Sequence, residues 1–161
     1  MKPETPARQT GFTLVELVIV IILLAVISVV VSIRWQSAGE HTVSNQADLL
    51  AGNIRHIQAL AITHGKTLRL NIAIDHYCAT VPPDTDCTKA IIDPATSKPL
   101  VVFLADAITL TGISTDIDSL GRPVDSAGLL PTTRTFILKA DPTTWSTALS
   151  PITGFVALTT P

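Results

Sequence analysis

The sequence predicts an α+β protein: a long N-terminal helix, hydrophobic and then amphipathic, packed on a C-terminal antiparallel β-sheet domain. Three observations carry this expectation. Residues 12–33 form an aliphatic run without Pro or Gly. Apolar residues then recur at spacings of four and three as far as residue 61. After Gly65 the period changes to two, and short strand-like segments follow one another to the C-terminus. A helix followed by a series of strands implies a sheet packed on that helix. With 161 residues there is room for one small domain beyond the apolar run.

The run begins GFTLVEL, and Phe12 to Ile33 is 22 residues. As a helix it would span about 33 Å, enough for a hydrocarbon core of about 30 Å. The leader MKPETPARQT carries Lys2 and Arg8 against Glu4, which favours a cytoplasmic N-terminus; Arg34 and Trp35 suit the interface at the far end. A cleaved secretory signal has a shorter apolar region and an A-x-A-like site after it, and neither is present. A generic anchor leaves Glu16 unexplained, because an ionisable group in a membrane segment costs roughly 2.5–3.5 kcal/mol and marks a function by default.

Gly11, Phe12, Thr13, Leu14 and Glu16, followed by the aliphatic stretch, resemble the class III signal of type IV pilins and type II secretion pseudopilins. The resemblance implies a type IV pilin fold. It implies cleavage by a prepilin peptidase between Gly11 and Phe12, and N-methylation of Phe12. Glu16 lies four residues after the new terminus. In a bundle of apolar helices its carboxylate could pair with the α-ammonium of a neighbouring subunit, and such a pair in a low dielectric fixes register. The expected segments are a leader 1–11, a transmembrane and fibre-core half-helix 12–33, an amphipathic half-helix 34–65, and a periplasmic β-rich domain 66–161.

Beyond residue 33 the stripe Val43, Ala47, Leu50, Ile54, Ile57 and Ala61 marks one buried helix face, with Asn45, Asp48, Asn53, Arg55 and Gln58 off it. Gly65 suits a C-terminal cap, and SAGEHT at 37–42 is a candidate weak point. A continuous helix from Phe12 to His64 would have 53 residues and extend roughly 80 Å. Thr67 to Ala73 alternates as a half-buried strand, and Tyr77 to Val81 is its expected partner. Further strands are expected at 100–104, 108–113, 135–140 and 154–159, with turns at Pro82-Pro83, Asp93-Pro94, Gly121-Arg122-Pro123 and Asp141-Pro142.

In an extracytoplasmic domain Cys78 and Cys87 are expected to form a disulfide closing CATVPPDTDC. The alternative is a metal site of His76, Cys78 and Cys87 with Asp75 or Asp86, which lacks a second CxxC or an HxxxH. No cofactor is expected.

Residues 47–70, ADLLAGNIRHIQALAITHGKTLRL, resemble the GspH/FimT branch of minor pilins at Arg55, Ala59, Ala61, Gly65 and Leu68. Within it, IRHIQALAITHG and the two cysteines are similar to minor pilins of the mannose-sensitive haemagglutinin (MSHA) pilus. SLGRP at 119–123 is similar to a Gly-Arg element of the branch and also reads as a β-turn in which Pro123 holds Arg122 extended. Major pilins often carry Pro where this chain has Ile33, which favours a minor subunit.

The resemblance implies a non-catalytic minor pilin, held in the inner membrane and then built into a fibre at or near its tip. Implied partners are other pilin subunits, the prepilin peptidase, the inner-membrane assembly platform and lipid. A GspH-like pseudopilin of type II secretion and a FimT-like DNA-binding pilin are the alternatives. Without residues 1–11 the chain has nine basic and twelve acidic residues, a net charge of −3, so nucleic acid is not an expected partner. An enzyme is not expected: there is no G-x-S-x-G and no phosphate loop, and His41, His56, His64 and His76 show no metal spacing and read as solvated or capping residues.

Overall fold

The apolar run and the amphipathic stripe form one helix, α1, Leu14–His64, in the computed structural model, which describes residues 14–159 with side chains given for 14–25 and 42–159. The backbone stays helical through residues 37–42, where a weak point was expected. Two compact units nevertheless divide there, Met1–Ala38 and Gly39–Pro161. Gly65 ends the helix at φ +61°. Its N–H donates to Ile62 O (3.2 Å) and that of Lys66 to Ala61 O (3.1 Å), the paired bonds of a Schellman cap.

In the first unit every large apolar side chain from Leu14 to Leu24 is exposed, from 44% at Val20 to 79% at Leu14. Among the described residues no helix is long and apolar enough to cross a membrane. The run expected to do so, 12–33, is described with side chains only for 14–25.

In the second unit the chain continues as β1 Leu68–Ile72, β2 His76–Thr80, a 3-10 turn Cys87–Lys89, β3 Ile92–Asp93, β4 Lys98–Pro99, β5 Val101–Phe103, β6 Thr109–Thr111, β7 Thr115–Ile117, β8 Pro123–Asp125, β9 Gly128–Leu129, β10 Arg134–Ala140, β11 Thr143–Leu149 and β12 Val156–Thr159. All pairings are antiparallel. One sheet has the order β5-β2-β1-β7-β8-β9, a second β12-β11-β10-β6, and β3-β4 is a small hairpin. This is the helix-plus-antiparallel-sheet architecture expected from the sequence.

The six stripe residues are each at most 1% exposed and meet Leu68, Leu70, Tyr77, Ile117, Phe136, Leu138 and Leu149 in one core. Fully burying an aliphatic side chain such as Leu50 or Ile54 stabilises by roughly 1.5–3 kcal/mol, which is what holds the sheets to the helix. The described core lies wholly within residues 43–156, inside the unit Gly39–Pro161.

β1 is central and covered on both faces, not half-buried as its alternation suggested. Leu68 and Leu70 face the core, while Asn71 on the other face is only 5% exposed, under the disulfide loop. Arg69 lies directly opposite Asp116 on β7 and grips its carboxylate with Nε (2.5 Å) and Nη2 (2.8 Å).

Candidate assembly site

Gly11 and Phe12 lie outside the described residues. Glu16 is in the first turn of α1 and exposed, amid exposed aliphatic side chains. A carboxylate near a helix N-terminus is favoured by the helix dipole. That placement holds an anion at the head of the apolar half without a cost to the helix itself.

In the second unit, polar residues beside the buried stripe fasten the sheets to α1. Asn53 Nδ2 donates to the Tyr77 hydroxyl on β2 (2.7 Å). Arg55 Nη2 donates to the Val156 carbonyl on β12 (2.9 Å). His56 Nε2 meets Asp93 Oδ1 (3.0 Å) at the β3–β4 hairpin. Gln58 Nε2 donates to both Gly121 O (2.9 Å) and Gly154 O (2.6 Å). The two glycines sit at φ +79° and +66°, and a Cβ on Gly154 would collide with Gly121 O, so two distant turns abut over one amide. Because these contacts satisfy groups in partly buried positions, losing any of them leaves an unpaired polar atom.

Burial pushes the Tyr77 hydroxyl up to about 12, against the opposing pull of Asn53. Asp93 is held below the usual carboxylate range, first by the Ala95 N–H, then by Thr96 and His56. His56 therefore anchors a hairpin while its side chain stays 35% exposed, a role beyond the solvated or capping one expected from the sequence. The signal for these anchors was the run N-I-R-H-I-Q, whose polar members are hydrogen-bonding groups without a single acid.

Cys78 and Cys87 are joined by a disulfide with Cα atoms 5.7 Å apart. The bridge engages both sulfurs that the metal alternative required. Asn71 Nδ2 donates to Thr80 Oγ1 (2.8 Å), which donates to Asp84 O (2.6 Å), so the closed loop is also tied to the sheet. An open groove of about 950 Å³ lies beside it, walled by Cys87, Thr88, Pro99, Val101 and Phe103.

The SLGRP segment forms a turn in which Gly121 N donates to Asp118 O (2.9 Å). The Arg122 guanidinium folds back onto Asp118 Oδ2 through Nε (3.0 Å) and Nη2 (2.8 Å). Asp118 stays below the usual carboxylate range: burial raises it, but Arg122 and the turn N–H groups outweigh that. Lys139 lies 3.7 Å from Asp141. Two of the three cations near the C-terminus are thus engaged by carboxylates, which leaves no cluster for phosphate.

The family model for the prokaryotic N-terminal methylation motif matches residues 6–32. Among solved structures the chain is similar to the minor pseudopilin EpsH from the type 2 secretion system of Vibrio cholerae. The TM-score is 0.56 at 14% sequence identity, over 74% of this chain and 98% of that one. No curated protein matches the chain. The match reaches only the fold, while the motif reaches only the head of the chain. Together these findings are an N-terminal methylation motif at the head of the chain and a body whose fold is similar to that of a minor pseudopilin.

Proposed function

We propose that the chain is a non-catalytic minor pilin, stored in the inner membrane by residues 12–33 and then assembled into a fibre. The observation that carries this reading is the continuity of α1, which joins the methylation motif to a helix face buried under two sheets. In this reading a prepilin peptidase removes residues 1–11, cutting between Gly11 and Phe12, and Phe12 is N-methylated. Residues 34–65 form the amphipathic half-helix, and 66–161 the periplasmic domain. Glu16 then pairs with the Phe12 ammonium of a neighbouring subunit. The exposed aliphatic side chains of Leu14 to Leu24 become the fibre core.

The resemblance of IRHIQALAITHG and the cysteine pair to MshC supports a place at or near the tip of an MSHA-type pilus. The fold similarity to EpsH favours a second reading, a minor pseudopilin of a type II secretion system. Gly11→Ala should leave the precursor uncut in cells holding the peptidase, read by the mass of the membrane-bound chain. Normal processing would defeat the cleavage assignment. Glu16→Ala should be cut as usual yet enter the fibre poorly; unimpaired incorporation would remove its role in register.

A further inference from the structure

A groove crosses the outer face of the sheet that contains β1, opposite the face that packs on the core. Val101, Cys78 and Asn71 lie side by side there on β5, β2 and β1, and the pair Phe103–His76 comes next along the same face. Cys78 is bonded to Cys87, so the loop this bridge closes forms one wall. Phe103 is 69% exposed, and its ring centre lies 5.3 Å from that of His76. Together with Ile72, Pro99 and Val101 it gives the groove an apolar lining. The volume, about 950 Å³, falls in the range of small-molecule sites, about 300–1,000 Å³.

One polar atom of this lining is unspent. Asn71 is only 5% exposed, and its Nδ2 donates to Thr80 Oγ1 (2.8 Å). The Thr80 hydroxyl proton is committed to Asp84 O (2.6 Å), so Thr80 can only accept from Asn71, which fixes the orientation of the amide. Oδ1 is thereby turned away from Thr80, and it has no hydrogen-bond partner among the described residues. A buried acceptor without a donor is costly, so the site favours a ligand that brings one. His76 supplies a second acceptor. Asp75 Oδ1 engages its Nδ1 (2.7 Å), which leaves Nε2 of the neutral ring without a proton. The two charges in the lining, Asp86 and Lys98, are opposite in sign and leave the groove neutral.

An apolar lining selects an apolar ligand, the exposed Phe103 ring favours an aromatic one, and balanced charges favour a neutral one. The unspent acceptor asks for an O–H or N–H. We propose that this groove binds a neutral aromatic molecule bearing an O–H or N–H donor, its ring against Phe103 and its donor on Asn71 Oδ1. The site belongs to the body alone and is independent of the fibre contacts made by α1.

The test titrates the whole isotope-labelled chain, held in lipid nanodiscs, with phenol and with anisole, which keeps the ring and lacks the donor. The Val101 backbone amide and the Asn71 side-chain amide report by nuclear magnetic resonance, so probe dissolved in lipid does not register. Phenol should shift both signals saturably, and anisole should bind about tenfold more weakly. Phe103→Ala, at an exposed position, should weaken phenol by about tenfold with the circular dichroism unchanged. Asn71→Leu, read at Val101, should bring phenol and anisole to equal affinity. The proposal is overturned by any of four results: no saturable shift, equal affinity of the two probes for the natural chain, phenol binding indifferent to Phe103→Ala, or shifts that follow protein concentration without probe. The last would place a second copy of the chain in the groove.

Discussion

Gln58→Ala tests whether one amide holds the body's two turns against its helix. The side chain makes two hydrogen bonds, at 2.9 Å and 2.6 Å, in a partly buried setting. Each contributes about 1 kcal/mol net, for a loss of about 2 kcal/mol. The higher helix propensity of Ala returns a few tenths, leaving about 1.5 kcal/mol. Gly39–Pro161 has an unfolding entropy of roughly 0.26 kcal/mol/K, so the melting temperature should fall by about 6 °C. Gln58→Glu should cost more at neutral pH, because a carboxylate would face two carbonyl oxygens. That extra loss should shrink as pH falls through the raised native pKa of the new Glu, which donates again once protonated, and be gone below about pH 4.3. Urea unfolding followed by circular dichroism measures both variants. A loss for Gln58→Ala below about 0.5 kcal/mol, or a Glu variant no worse than Ala at neutral pH, would refute the clamp.

Tyr77 is the chain's single tyrosine, so the near-ultraviolet tyrosinate band reports it alone. The native protein should titrate at about 12, whereas the unfolded chain should titrate near ~10. The raised native value means that this group stabilises fully below about pH 10, and that the contribution is lost as pH rises through the native value. Asp93 has a lowered pKa, so its contribution is present above about pH 3.9 and disappears as pH falls through the native value. Asp93→Asn should therefore flatten the acid limb of the stability–pH curve, measured by urea unfolding at stepped pH. Cys87→Ser should destabilise the body by about 2.7 kcal/mol on the chain-entropy model, and reduction of the native protein should reproduce the shift in denaturation midpoint.

Much of the body was legible because its signals are local. The stripe from Val43 to Ala61 is a periodic pattern, and all six of its members are buried. β1, β2, β5, β6, β10 and β12 each fall on an expected segment. β7, β8 and β9 escaped notice because two or three residues carry too little alternation to register. β11, TTWSTAL, is mostly half-buried on both faces, so no clean period of two shows. It could have been found from its position, directly after a strand and the Asp141-Pro142 turn. The clamps of Asn53, His56 and Gln58 depend on partners 24 to 96 residues away, which no local pattern encodes. The head of the chain is the reverse case: Gly11 and Phe12 are read from sequence alone, and only Glu16 has a described place.

The latch between α1 and the end of the chain has a consequence for how the protein is made. Arg55 and Gln58 reach partners 101 and 96 residues later, at Val156 and Gly154. During synthesis the β1–β2 pairing and the disulfide loop close locally, within residues 68–87. The helix face stays uncapped on one flank until the final strand emerges. A nascent chain that has not yet delivered β12 would thus expose apolar helix surface that the folded body hides.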